Sequence, residues 1–100
     1  MLDLARIVGF NWDDGNVRKS LLKHDVSQLE AEQVFLDPRL LFLEDIKHSR
    51  LEKRYQALGK ALDGNRLHVT FTLREDGTRI RVISTRPMNR KEKALYEQEA

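Results

Sequence analysis

The sequence predicts an α+β fold, a twisted antiparallel β-sheet with helices packed on one face. Three observations predict it. Leu67–Arg74 alternates, with Leu67, Val69, Phe71 and Leu73 on one side and His68, Thr70 and Thr72 on the other. Asp76-Gly77 follows, a strong hairpin signal because both central turn positions take positive φ. Two capping boxes, Ser27-Gln28-Leu29-Glu30 and Asn89-Arg90-Lys91-Glu92, start helices before and after the run of strands. Strands and helices segregated in this way give an α+β sheet.

The elements follow in the order β-α-α-β-β-β-β-α. Ala5–Trp12 reads as a first strand, with Ile7, Val8, Phe10 and Trp12 partly alternating. Asp13-Asp14-Gly15-Asn16 supplies turn and N-cap residues. A helix from about Asn16 to His24 places Val17 and Leu21 on one face. Asp25 ends it, since Asp tolerates the left-handed conformation. The helix capped by Ser27 runs to about Leu36, with Ala31, Val34 and Phe35 apolar, and Asp37-Pro38 stops it. Leu40–Leu43 is a short strand, Glu44–Glu52 a charged loop and Lys53–Lys60 a strand. After the Asp63-Gly64-Asn65 turn, Leu67–Arg74 and Thr78–Arg86 form the hairpin, and a last helix runs from Asn89 to about Gln98.

A two-residue loop at Asp76-Gly77 fixes the pairing. It sets Leu73 against Ile80 and Phe71 against Val82 on the core side. It sets Thr72 against Arg81 and His68 against Thr85 on the other. It also sets Arg74 against Arg79, a like-charge pair that is destabilising unless solvated. By the same parity Arg86 falls on the core side, opposite Leu67. A buried unpaired guanidinium is implausible, so the strand bulges there or Arg86 rims a cleft.

The 100-residue length, with 40% apolar and 34% charged residues, suits one domain spanning 1–100, of which residues 1–9 form an extension and part of the first strand. The chain has no cysteine, so disulfides and thiolate metal sites are excluded. The longest apolar run, Leu40–Leu43, is far short of the roughly 20 residues that span a bilayer. No signal peptide is visible at the start, and the expected setting is cytoplasmic.

The net charge of +2 conceals an asymmetry. Residues 1–50 carry −2 and residues 51–100 carry +4, with six cations and only Glu92 as an acid between Arg79 and Lys93. Such a concentration fits an anion-binding surface, or simply a solvated face.

The polar face of the predicted sheet collects His68, Thr70, Thr72, Arg79 and Arg81, and strand parity adds Arg54 and Gln56. These are cationic forks with one imidazole and no acidic cluster, unlike a two-metal nuclease site. Paired-histidine ligand spacing, a Gly-rich phosphate loop and a G-x-S-x-G elbow are all absent. Metal-free RNA cleavage stays open. In that reaction the substrate 2′-hydroxyl attacks its own phosphate, and Lys, Arg and His can supply base, charge stabilisation and acid. Arg suits the phosphate because its planar fork binds two oxygens.

Other candidates have a plainer alternative beside them. Lys23 and His24 close the first helix, where cations are worth roughly 0.3–1 kcal/mol from the dipole alone. Arg90 and Lys91 stand in a first helical turn, where the dipole disfavours cations and an anionic ligand would relieve the conflict. Trp12 could stack a base or pack on the core.

Several segments together resemble the BrnT family of type II toxin–antitoxin toxins. They are Phe10–Asn16, Lys23–Ser27, Val34–Pro38, Glu52–Gly59, Arg79–Arg86, Arg90-Lys91-Glu92 and Tyr96-Glu97. The match extends from about Phe10 to Glu97. Asp25 stands where the family usually has Gly, and Thr85 where Ala is common.

The resemblance implies a small RelE-like ribonuclease toxin that cleaves RNA without a metal or other cofactor and so suppresses translation. It implies a BrnA-type ribbon-helix-helix antitoxin as partner, in a heterotetramer that binds promoter DNA through the antitoxin. It also implies a catalytic set of Lys23, His24, Arg54, Arg81 and Arg86. Trp12, His68, Arg79, Arg90 and Lys91 are the candidate RNA contacts. The alternative is a module that binds nucleic acid or a ribosome surface without cutting.

Overall fold

The computed structural model describes residues 4–12, 26–45 and 52–99. The expected helix over 16–24, with its candidates Lys23 and His24, lies outside the described residues, as does most of the expected 44–52 loop. After a single 3₁₀ turn at Leu4–Arg6, the elements are β1 (Gly9–Phe10), α1 (Gln28–Val34), β2 (Leu41–Asp45), β3 (Arg54–Lys60), β4 (Arg66–Arg74), β5 (Arg79–Pro87) and α2 (Arg90–Glu99). The five strands form one sheet in the order β1-β5-β4-β3-β2.

Several expectations need correction. The sheet is mixed, because β1 runs parallel to β5 while the other pairs are antiparallel. The first strand is only Gly9–Phe10 rather than Ala5–Trp12. Backbone bonds from Val8 N–H to the Thr78 carbonyl and from Asn11 N–H to the Ile80 carbonyl, both 2.8 Å, extend its ladder at each end. α1 ends at Val34, with Phe35 and Leu36 already in a turn. β2 continues through Glu44 and Asp45, which pair with Tyr55 and Arg54.

The largest correction concerns the helices, which do not share a face. On one face Val69, Phe71, Ile80, Val82 and Ala57 pack with Val34 of α1. Leu58 is paired with His68 and with Leu41, so these three share the opposite face. There Leu58 clusters with Met88 and with Tyr96 of α2, and Leu41 and Leu95 pack against them. The second face thus has an apolar end that α2 covers and a polar end that it leaves open.

The Ser27–Glu30 capping box forms as the motif requires, with the Ser27 hydroxyl accepting from the Glu30 N–H. α1 approaches the sheet closely at Gly59. A Cβ there would lie 2.8 Å from Val34 Cγ1 and 2.9 Å from the Val34 carbonyl oxygen. Gly59→Ala is therefore expected to destabilise the protein by about 1–3 kcal/mol through overpacking against backbone, seen as a lowered denaturation midpoint.

α2 is anchored at its far end by the Tyr96 hydroxyl, which donates to Asp37 at 2.5 Å. The Asp37 carboxylate also accepts from the backbone N–H of Arg39 and of Lys60, each at 2.8 Å. Burial opposes ionisation of Asp37, but these bonds outweigh it and hold the carboxyl below its ordinary value. Burial, aided by Asp37, pushes the Tyr96 phenol up to about 12.

The hairpin keeps the expected register from Arg74–Arg79 to Phe71–Val82. Glu75, Asp76 and Gly77 all take positive φ at the turn. The like-charge pair is neutralised locally, since Arg74 pairs with Glu52 and Arg79 with Glu75. Beyond Phe71 the register shifts. Thr70 pairs with Ser84, leaving Ile83 as the extra residue of a β-bulge. His68 therefore faces Arg86 rather than Thr85, and Thr85 becomes the fully buried core-side residue.

Candidate active site

The bulge builds the site. By resetting the alternation it brings Ser84 and Arg86 onto the face that already carries Arg54 and Gln56 from β3 and His68 and Thr70 from β4. With Asp45 at the end of β2 and Glu92 from α2, these residues line an open groove of about 290 Å³, and Ile83 also borders it.

Arg86 is held by several hydrogen bonds. Its Nη1 and Nη2 donate to the two carboxylate oxygens of Glu92, each at 2.8 Å, a bidentate pair. Nη1 also donates to the Pro87 carbonyl at 3.1 Å. Glu92 is fixed in turn by the second capping box. Its N–H donates to Asn89 Oδ1 at 2.8 Å, and its Oε1 accepts from the Asn89 N–H at 3.0 Å.

His68 lies beneath this pair, 4% exposed, with Nε2 3.7 Å from Glu92 Oε2. Its Nδ1 is buried and has no hydrogen-bond partner among the described residues. Burial holds the imidazole below its ordinary 6.5, and the Arg86 charge presses the same way against the opposing pull of Glu92 and Asp45. A neutral imidazole at neutral pH can accept a proton. Burial would raise the Glu92 carboxyl, but the Arg86 bonds and the Asn89 N–H outweigh it and hold it below 4.5.

The fold thus unites Arg54, His68 and Arg86. Arg81 lies on the same face one position further toward β1, opposite Thr72, with Nη1 donating to Asn11 Oδ1 at 2.9 Å. Arg79 is drawn to Glu75 at the hairpin. Arg90 and Lys91 are exposed in the first turn of α2. Trp12 sits apart from the groove. Its indole donates to Glu32 at 2.7 Å, and its ring stacks 6.5 Å from Phe10 against the α1-side core.

Asp45, Ser84 and Glu92 were not among the sequence candidates. Glu92 carried a signal, as the single acid in a basic run and the third helical residue of a capping box. Asp45 carried none, because it reads as loop.

The family model for the ribonuclease toxin BrnT of type II toxin–antitoxin systems matches residues 12–92. The chain belongs to the BrnT family. Its fold is similar to the crystal structure of the Brucella abortus ribonuclease toxin BrnT, at a TM-score of 0.61 and 19% identity, over 82% of this chain and 97% of that one. No curated protein matches it by sequence. Membership of a BrnT toxin–antitoxin system implies an antitoxin as partner. No helix among the described residues is long and apolar enough to cross a membrane.

The groove is expected to make this BrnT-family protein acid-sensitive in two stages. Because folding lowers the His68 value from 6.5, the unfolded chain binds a proton below 6.5 that the native state does not. Stability therefore falls with pH from about 6.5 down to the folded value. Glu92 is also lowered, from 4.5, so its contribution is complete above 4.5 and is lost as pH falls through its folded value. Unfolding midpoints measured against pH are expected to decline in both windows, and the first decline should be absent in His68→Gln.

Proposed function

We propose that the protein is a metal-independent endoribonuclease toxin that cleaves RNA through the substrate 2′-hydroxyl. The observation that carries this reading is the convergence of Arg54, His68 and Arg86 on one groove. A phosphate placed there meets two guanidinium groups, which can stabilise the charge that develops on the phosphorane. His68, held neutral, is suited to take the proton of the attacking 2′-hydroxyl. Arg81 extends the cationic face toward β1 and can hold a flanking phosphate. Lys23 and His24 remain the family-implied candidates for protonating the leaving 5′-oxygen. Thr70 and Ser84 offer hydroxyls for orientation. The cations supply the electrostatic work that a metal would otherwise do.

The partner we infer is a BrnA-type ribbon-helix-helix antitoxin that covers this basic groove. It would form a heterotetramer with the toxin and carry the complex onto promoter DNA. We read the fold as a RelE-like variant acting in the cytoplasm.

The test is direct. Purified protein incubated with RNA in EDTA is expected to produce fragments ending in 2′,3′-cyclic phosphate or 3′-phosphate. RNA that is retarded but intact would instead indicate a binding module.

A further inference from the structure

The ribonuclease reading leaves Glu92 unexplained, and the following inference rests on that reading. Arg has five N–H donors. Three of those on Arg86 are committed, two to the Glu92 carboxylate and one to the Pro87 carbonyl. The grip is end-on, across Nη1 and Nη2. The side edge, made by Nε–H and the second Nη2–H, meets no acceptor among the described residues. That edge is itself a two-donor fork of the geometry that binds phosphate.

We propose that Glu92 is a positioning residue for cleavage: it grips the end of the Arg86 guanidinium and so presents the side edge to a phosphate in the groove. Three constraints hold Glu92 in place. It occupies the first turn of α2, its own N–H is bonded to Asn89 Oδ1, and its Oε1 accepts the Asn89 N–H. The helix is fixed by Tyr96, so strand, cap and anchor locate the guanidinium together. Direct proton transfer by Glu92 fits poorly, because both oxygens are occupied and its carboxyl is held in the ionised form. The carboxylate also lies 3.7 Å from His68 Nε2, beyond hydrogen-bond distance, so its effect there is on the charge of the imidazole while its positioning role is on Arg86.

Glu92→Gln separates this role from a purely structural one. Glutamine satisfies the third position of a capping box as glutamate does, so the helix start survives. It removes the charge that holds Arg86. In steady-state cleavage of an RNA oligonucleotide in EDTA, Glu92→Gln is expected to lower kcat by about 10–100-fold, with KM changed far less. The thermal midpoint should fall by no more than the decline the parent protein shows when Glu92 is protonated, and that acid decline should be absent in the variant. Glu92→Asp, which keeps the charge, should recover part of the rate. The double variant Arg86→Ala with Glu92→Gln should be no slower than Arg86→Ala alone, because Glu92 acts through Arg86. By NMR, the His68 imidazole should titrate at lower pH in Glu92→Gln, since a charge favouring the imidazolium has gone.

Undiminished kcat in Glu92→Gln, or independent and additive losses in the double variant, overturns the proposal while leaving the ribonuclease reading intact. Parent protein that leaves RNA uncut in EDTA overturns both.

Discussion

Arg86→Ala is expected to reduce RNA cleavage on the order of 10²–10³-fold, the usual cost of losing one preorganised electrostatic donor. The loss goes beyond one missing fork. Glu92 would keep its capping bonds to Asn89 but lose both Arg86 donors, leaving an ionised carboxylate without its counter-charge beside His68. Burial is the main cause of the lowered His68 value and the Arg86 charge adds to it, so with the guanidinium gone His68 should become more basic. The residual activity should therefore show its acidic limb at higher pH than the parent protein. A pH–rate profile with fragment analysis checks both expectations. A rate equal to that of the parent would remove Arg86 from the site.

Phe71→Ala should have the largest effect on stability. Phe71 is fully buried on the α1 side of β4. Its ring is edge-on to Phe35 at 5.2 Å and to Phe42 at 6.0 Å, and stacked on Tyr55 at 5.5 Å. Those contacts tie the turn that follows α1 to β2, β3 and β4 in one core, and Phe35 and Phe42 are themselves in contact. Truncation is expected to cost about 3–5 kcal/mol. In a domain of this size each kcal/mol shifts the midpoint by about 4–8 °C, so calorimetry should show a fall of more than roughly 10 °C. Phe71 faces away from the groove. The folded fraction should cleave RNA at the parent rate, which separates this variant from Arg86→Ala.

The hairpin near its turn was legible because positive-φ turn chemistry and strict alternation specify the same register, and Leu73–Ile80 and Phe71–Val82 pair as derived. The bulge was legible only as a contradiction, an arginine assigned to the core side. Alternation has no symbol for an unpaired residue, so Ile83 could not be located and Ser84 was missed. The Asn89–Glu92 capping box was readable as a helix start. Its second role depends on α2 folding across the face opposite α1, a tertiary choice made by Tyr96, Leu58 and Leu41. The parallel β1 pairing was hidden for a related reason, since Gly9-Phe10 is too short to carry a period. Of the candidate site, Arg54, His68 and Arg86 converge, while Trp12 went to packing.

The bulge can also be understood as a change of reading frame within one strand. Arg79 to Val82 follows one inside–outside frame, set by the hairpin turn. Ser84 to Arg86 follows a second frame, and Ile83 is the spacer that belongs to neither. Without that spacer's irregularity, β5 would have to bury a guanidinium in order to keep its other side chains in the core. The extra residue lets nine consecutive residues obey two instructions in turn, closing the hydrophobic interior and then offering a charged group to the opposite side. A chain lacking Ile83 would keep Ser84 and Arg86 in the second frame, because ordinary alternation from Val82 leads there directly. The extra residue is thus accommodated without changing the side of the sheet on which Arg86 stands.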